Sequence, residues 1–111
     1  MLMKPLRPDE QRIAKELTVN ETLVKELFEF LLTYEVNLRK FDKQRAALVS
    51  DIRELLMNKK KTLTFYDFFS LILSIMRGSK DRKTISIIAS IFNKAQETFI
   101  EAKKNKLKNK S

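Results

Sequence analysis

The sequence predicts an all-α protein, a compact bundle of four to five helices with a basic C-terminal tail. Three observations lead there. Between Pro8 and Gly78 there is neither proline nor glycine, and a stretch of that length without either breaker is helical. Apolar residues recur at spacings of three and four, which is the period of a helix face. Capping residues such as Thr18 and Thr64, each followed three places later by an acid, stand just before the apolar stretches, as at helix starts. Thr84 to Ile91 is rich in β-branched residues, but its spacing is helical.

The first helix starts at Pro8, where a fixed φ suits the first turn and Asp9 and Glu10 favour the dipole. Its short apolar face, Ile13, Ala14 and Leu17, ends near Leu17. A second start follows. Either Thr18 and Glu21 form a capping box, or Asn20 is the N-cap and Val19 staples onto Val24.

Positions 24, 27, 31, 34, 38, 41, 45, 48, 52 and 55 then read Val, Leu, Leu, Tyr, Leu, Phe, Arg, Leu, Ile, Leu. Only Arg45 interrupts a seam that keeps one phase for about five heptads. Two structures fit. One is a single helix over about 20–57, on the order of 55 Å long at 1.5 Å per residue, which needs a partner helix or a dimer. The other breaks near Asp42, which then caps a separate helix. Phe28, Phe30, Leu32, Val36, Val49 and Leu56 broaden the stripe, which favours a multi-helix core over a narrow two-stranded seam.

Lys59 to Leu63 closes this segment, and Thr64 with Asp67 forms the next capping box. The helix from Phe65 to Met76 is apolar nearly all round, which places it at the centre of the core. Arg77-Gly78-Ser79 ends it, with Gly78 at the C-cap, and Ser79 or Asp81 caps the last helix. There Ile85, Ile88, Phe92, Ala95, Phe99 and Ala102 make one face. Order is expected to fade after about residue 104, giving one helical domain over 1–104 and a Lys-rich flexible tail over 105–111.

Composition excludes several functions. The 111 residues include one glycine, no cysteine and no histidine. A disulfide framework, a thiolate zinc site, a cysteine nucleophile and a Gly-rich phosphate loop are therefore absent, and the commonest base and metal ligand is missing. The acid pairs Glu26/Glu29 and Asp51/Glu54 read as solvated i,i+3 charges. No enzyme, metal or cofactor is expected. The longest apolar run, Phe65 to Met76, is interrupted by Asp67, Ser70 and Ser74 and is too short to span a bilayer. Met1-Leu2-Met3-Lys4-Pro5 lacks a signal-peptide apolar region, so the expectation is a soluble cytoplasmic protein.

Charge is unevenly placed. The formal net charge is +9, and residues 1–57 are neutral, so the whole excess lies in residues 58–111. It falls in three clusters: Lys59-Lys60-Lys61; Arg77, Lys80, Arg82 and Lys83 around Gly78; and Lys103, Lys104, Lys106, Lys108 and Lys110. Such asymmetry points to an anionic partner, although lysines at helix ends and in tails also serve the dipole and solubility. Antiparallel packing is expected to put Lys59–Lys61 and the tail at one end and Arg77–Lys83 at the other. Tyr34, Tyr66 and the phenylalanines fall mostly on apolar faces, leaving few aromatics for base stacking. Leu107 alone gives the tail no apolar membrane anchor.

Residues 13–28 place Ile13, Ala14, Leu17, Val19, Val24 and Leu27 around a short connection, with Asn20 opening the following helix. This stretch resembles the helix-turn-helix class of DNA-binding motifs, with Thr18 at the turn place usually held by glycine. The resemblance implies that Asn20, Thr22 and Lys25 contact bases; the neighbouring Glu21, Glu26 and Glu29 make that face net acidic. Two consecutive bundle helices joined by a capping turn fit the same residues. The expected function is that of a non-enzymatic, nucleic-acid-associated accessory or regulatory protein whose basic second half contacts phosphates. The alternative is a small helical protein-interaction adaptor or inhibitor of the phage or plasmid kind, dimeric through the 24–55 stripe.

Overall fold

A computed structural model describes residues 7–109 of the chain. Its five helices are α1 (Pro8–Glu16), α2 (Glu21–Leu38), α3 (Lys43–Asn58), α4 (Phe65–Arg77) and α5 (Arg82–Asn109). Among the described residues no strand forms, and the fold is the all-α bundle that the sequence predicts. The start at Met1 to Pro5, and Lys110 with Ser111, lie outside the described residues. The boundary expected at residue 104 falls inside α5, which runs on to Asn109.

Local chemistry explains the helix ends. Pro8 occupies the first helical position of α1. The Glu10 carboxylate accepts from the Arg7 backbone amide at 3.4 Å and from Arg7 Nε at 3.2 Å, so an acid in the first turn serves an otherwise orphan donor. Asn20, not Thr18, is the N-cap of α2, and its side chain makes no capping hydrogen bond. Val19 and Val24 on either side of it are both buried, as a hydrophobic staple requires. The Thr64 hydroxyl accepts from the Asp67 amide at 3.2 Å. At the start of α5, Asp81 accepts from the Thr84 hydroxyl at 3.0 Å and from the Lys83 amide at 3.3 Å. Those two bonds, the Thr84 hydroxyl first, hold the Asp81 pKa below its ordinary value.

Of the two structures open for residues 20–57, the chain takes the broken one. The Phe41 and Asp42 amides donate back to the Leu38 carbonyl at 2.9 and 2.7 Å, which tightens the end of α2. Asp42 then turns to extended backbone and accepts from the Arg45 amide at 3.1 Å. An antiparallel α2–α3 hairpin results, and the turn resets the helical phase. In α2 the expected positions Val24, Leu27 and Leu31 are buried. In α3 the buried set is Ala46, Val49, Ile52 and Leu56: Ile52 of the seam holds its place, while 45, 48 and 55 give way to their next neighbours 46, 49 and 56. Leu48 is 50% exposed and Val49 1%. Phe41, assigned by the heptad spacing to the seam, stands 87% exposed in the turn. The 24–55 stripe is therefore not a continuous outer face: its α2 half lies in the chain's own core.

The core is built around α4. Phe65, Phe68, Phe69, Ile72 and Ile75 are all buried, and Phe65 and Phe69 meet Phe99 and Phe92 of α5 with ring centroids 5.3 Å apart in each pair. Burial of a ring of this size contributes about 1.5–3 kcal/mol, and tilted contacts at this spacing add to it. α2 lies against α3 and α5, and α1 rests chiefly on α4. The α1–α2 and α3–α4 connectors are stitched by one antiparallel bridge. There the Val19 amide donates to the Leu63 carbonyl at 2.8 Å and the Phe65 amide to the Leu17 carbonyl at 3.0 Å. These bonds satisfy backbone groups beside the buried Val19, Leu63 and Phe65.

Candidate nucleic-acid interface

The two ends of the bundle gather different parts of the chain. At one end the α2–α3 turn meets the α4–α5 turn, and a hydrogen-bonded network fastens them. Arg45 Nη2 donates to the Ile75 carbonyl at 2.7 Å and Arg45 Nε to Tyr34 Oη at 3.2 Å. The Tyr34 and Ser79 hydroxyls lie 3.0 Å apart, and Ser79 Oγ also donates to the Ile75 carbonyl at 2.8 Å. Gly78 belongs to the same network. Its φ is −99°, so the left-handed conformation that usually favours glycine at a C-cap does not apply. The reason is space: a Cβ there would fall 1.6 Å from Arg45 Nη1.

This joint puts Arg77, Lys80, Arg82 and Lys83 of the second turn at the same end of the bundle as Arg39, Lys40 and Lys43 of the first. Every one of these side chains is exposed. Only Arg39 makes an ion pair among the described residues, at 3.0 Å from Glu35. Of the acids here, Asp42 and Asp81 cap helices. Glu35 is 3% exposed and held by Arg39 and by Arg53 Nε at 3.1 Å. Burial pushes its pKa up, but the hydrogen bonds and charges of Arg53 and Arg39 outweigh this, and the pKa is lowered. The result is a cationic surface with little carboxylate to neutralise it, and Phe41 stands at its apex. The charge asymmetry pointed to Arg77, Lys80, Arg82 and Lys83. It missed Arg39, Lys40 and Lys43, because they belong to a half of the chain that is neutral in sum and join the others only through the fold.

The opposite end holds the remaining candidates, and two of them are already paired. Lys103 lies 3.6 Å from Glu10, and Lys106 bonds the Glu16 carboxylate. Burial alone would raise the Glu10 pKa; the Arg7 bonds and the Lys103 charge overcome this and lower it. Lys15 sits over the Tyr66 ring, 4.7 Å from its centroid. Lys104 is exposed. Lys59, Lys60 and Lys61 occupy the exposed α3–α4 turn, next to the Val19–Leu63 bond. Lys59 borders a small hollow with Asp67 and Ser70. The ends are thus as expected for Lys59–Lys61 and for Arg77–Lys83, and among the described residues no single patch unites all three clusters.

Asn20, Thr22 and Lys25 lie on the first turns of α2, all exposed. Thr22 and Lys25 border an α2–α3 groove of about 510 Å³ floored by Phe28, Leu32 and Met57, with Lys60 on its far rim. Arg53 lies 5.8 Å from the Phe28 ring centroid nearby. Of the apolar positions in the helix-turn-helix resemblance, Ala14, Val19, Val24 and Leu27 are buried, and Ile13 and Leu17 are half-buried. The connection is extended at Leu17 and Asn20. No described residue has positive φ, so Thr18 is accommodated without strain.

Among the described residues no group of three His, Cys, Asp or Glu side chains converges as a metal site, and no helix is long and apolar enough to cross a membrane. No protein-family model matches the chain, and neither a curated protein nor a solved structure does.

Proposed function

We propose that this protein is a non-enzymatic, nucleic-acid-associated accessory protein of the cytoplasm that grips phosphates with the cationic end formed by its α2–α3 and α4–α5 turns. The observation behind this reading is the pairing pattern. Lys40, Lys43, Arg77, Lys80, Arg82 and Lys83 converge with no ion pair among the described residues, beside acids already engaged as caps or buried. Phosphate contact needs cations on one surface and little else. Residues 13–28 supply helix-turn-helix-like packing as architecture, and Asn20, Thr22 and Lys25 remain the residues for base contact in that arrangement.

The test is titration of the protein with fluorescent DNA, duplex and single-stranded, across a series of salt concentrations. Binding is expected at low salt, with log affinity falling linearly against log salt. Absence of binding at about 50 mM salt would end this reading.

A second reading, a helical adaptor, rests on the α2–α3 groove, whose apolar floor continues toward the exposed Val36. Light scattering with and without DNA separates the two. A monomer that gains mass only with DNA supports the first; a partner helix or second copy in the groove requires the second.

A further inference from the structure

We infer that Phe41 stacks on an unpaired nucleobase while the cations around it hold the flanking phosphates, so that the ligand class at the cationic end is single-stranded or locally unpaired nucleic acid. The inference rests on the phosphate-binding reading above and assigns it a base-contacting residue outside the helix-turn-helix-like segment.

Three features of the site lead there. First, Phe41 is the most exposed large apolar residue described, at 87%. It stands at the apex of a turn whose backbone is fixed by two hydrogen bonds to Leu38 and capped by Asp42. An exposed aromatic at the apex of a turn with a fixed backbone can serve as a stacking platform, because a phenyl presents a face to any base. Second, its sequence neighbours Arg39, Lys40 and Lys43 are cations, and the turn that carries Lys80 and Arg82 is tied to the same hairpin through Tyr34, Arg45 and Ser79. These cations supply, at the same end of the bundle, groups suited to the phosphates on either side of a bound base. Third, the surroundings disfavour the other anionic ligand class, a lipid surface. Residues 39, 40 and 42–44 are Arg, Lys, Asp, Lys and Gln, and 80–83 are Lys, Asp, Arg and Lys. A lone phenyl among them lacks the broad apolar face of a membrane anchor. An unpaired base is favoured over an intact duplex because insertion between paired bases must also unstack them.

The chain contains no tryptophan, so Phe41→Trp places a single indole reporter at the apex. Its emission is expected to be quenched by an oligothymidylate and left unchanged by inorganic polyphosphate, which competes for the cations but carries no base. Phe41→Ala is expected to weaken oligothymidylate binding roughly tenfold, to change duplex binding far less, and to leave the far-ultraviolet circular dichroism intact, since the side chain is outside the core. If Phe41→Ala binds oligothymidylate as tightly as the parent, or if polyphosphate quenches the indole equally, the stacking role is refuted while phosphate binding stands. A blue shift on phosphatidylserine vesicles without quenching by the oligonucleotide would reassign the apex to a lipid surface and refute it too. If neither variant nor parent binds any polyanion, both readings fail together.

Discussion

At the α1 end of this bundle, Glu10 and Glu16 hold Lys103 and Lys106. At the far end, Lys40, Lys43, Lys80 and Arg82 have no acid within ion-pair distance among the described residues. A count of lysines and arginines ranks the α5 tail as the most basic part of the chain. The fold pairs two of those lysines, Lys103 and Lys106, with acids of α1. Charge available to a ligand is what remains after the molecule's own ion pairs, and α1 brings acids to the tail. The α2–α3 turn instead brings further cations to Arg77–Lys83. Both ends have their backbones tied, one by the bridge between connectors and the other by the Arg45–Tyr34–Ser79 network. The difference between them is that part of the charge at the α1 end, that of Lys103 and Lys106, is already paired, while Lys59–Lys61 and Lys104 stay exposed there.

The sharpest way to break this contrast is to remove the unpaired cations. The triple change Lys40→Ala, Lys80→Ala and Arg82→Ala is expected to weaken binding to a mixed-sequence oligonucleotide about thirtyfold at low salt and to reduce the salt slope by about three. Lys103→Ala with Lys106→Ala is expected to change affinity less than about threefold, since those groups already face carboxylates. Equal losses from the two sets, read by fluorescence anisotropy, would remove the distinction.

Glu35 tests the same contrast from the acid side. Glu35→Gln frees Arg39 toward the ligand and leaves Arg53 without a carboxylate. Its expected effects are tighter oligonucleotide binding together with a stability loss of about 1–2 kcal/mol at neutral pH by urea denaturation. The folded-state pKa of Glu35 is lowered. Its stabilisation is therefore fully present above the unfolded carboxylate value and is lost as pH falls through the folded one. The glutamine variant should lose less stability on acidification than the parent.

The joint at the cationic end predicts a smaller, conditional effect. Gly78→Ala forces the Arg45 guanidinium aside and is expected to cost about 1 kcal/mol in lost hydrogen bonds. In an Arg45→Ala background the same change should be neutral or stabilising, because alanine restricts the unfolded chain. Additive losses in that thermal-denaturation cycle would rule out the steric account of Gly78. The smallest effect belongs to the other end: Glu16→Gln should alter stability by less than about 0.5 kcal/mol, as exposed ion pairs do, while raising affinity slightly by releasing Lys106.

Much of this architecture is legible in the chain because it is local. Pro8, Asp42, Thr64 and Asp81 mark helix starts through chemistry that acts within a few residues, and the densely apolar Phe65–Met76, broken only at Asp67, Ser70 and Ser74, reads as central. What is not legible depends on tertiary geometry. The seam through 24–55 keeps its spacing across Asp42, so nothing in its periodicity reveals that the turn rotates the buried face of α3 toward Ala46, Val49 and Leu56, keeping Ile52 and exposing Leu48 and Phe41. Gly78 reads correctly as a C-cap, but the reason lies in Arg45, far away in sequence. For the candidate interface, the basic clusters are visible and their partners are not: neither the α1 acids at Lys103 and Lys106 nor the meeting of Arg39, Lys40 and Lys43 with Lys80 and Arg82 leaves a mark in any local pattern.

The contact between Arg45 and Gly78 also bears on how this sequence can drift. While the guanidinium fills the space beside residue 78, any side chain there must displace it, so the glycine is held in place by its neighbour and not by its own backbone. Loss of the arginine would release that hold and let larger residues accumulate at 78, after which a return to arginine would meet an occupied site. The order of the two changes thus sets what each one costs.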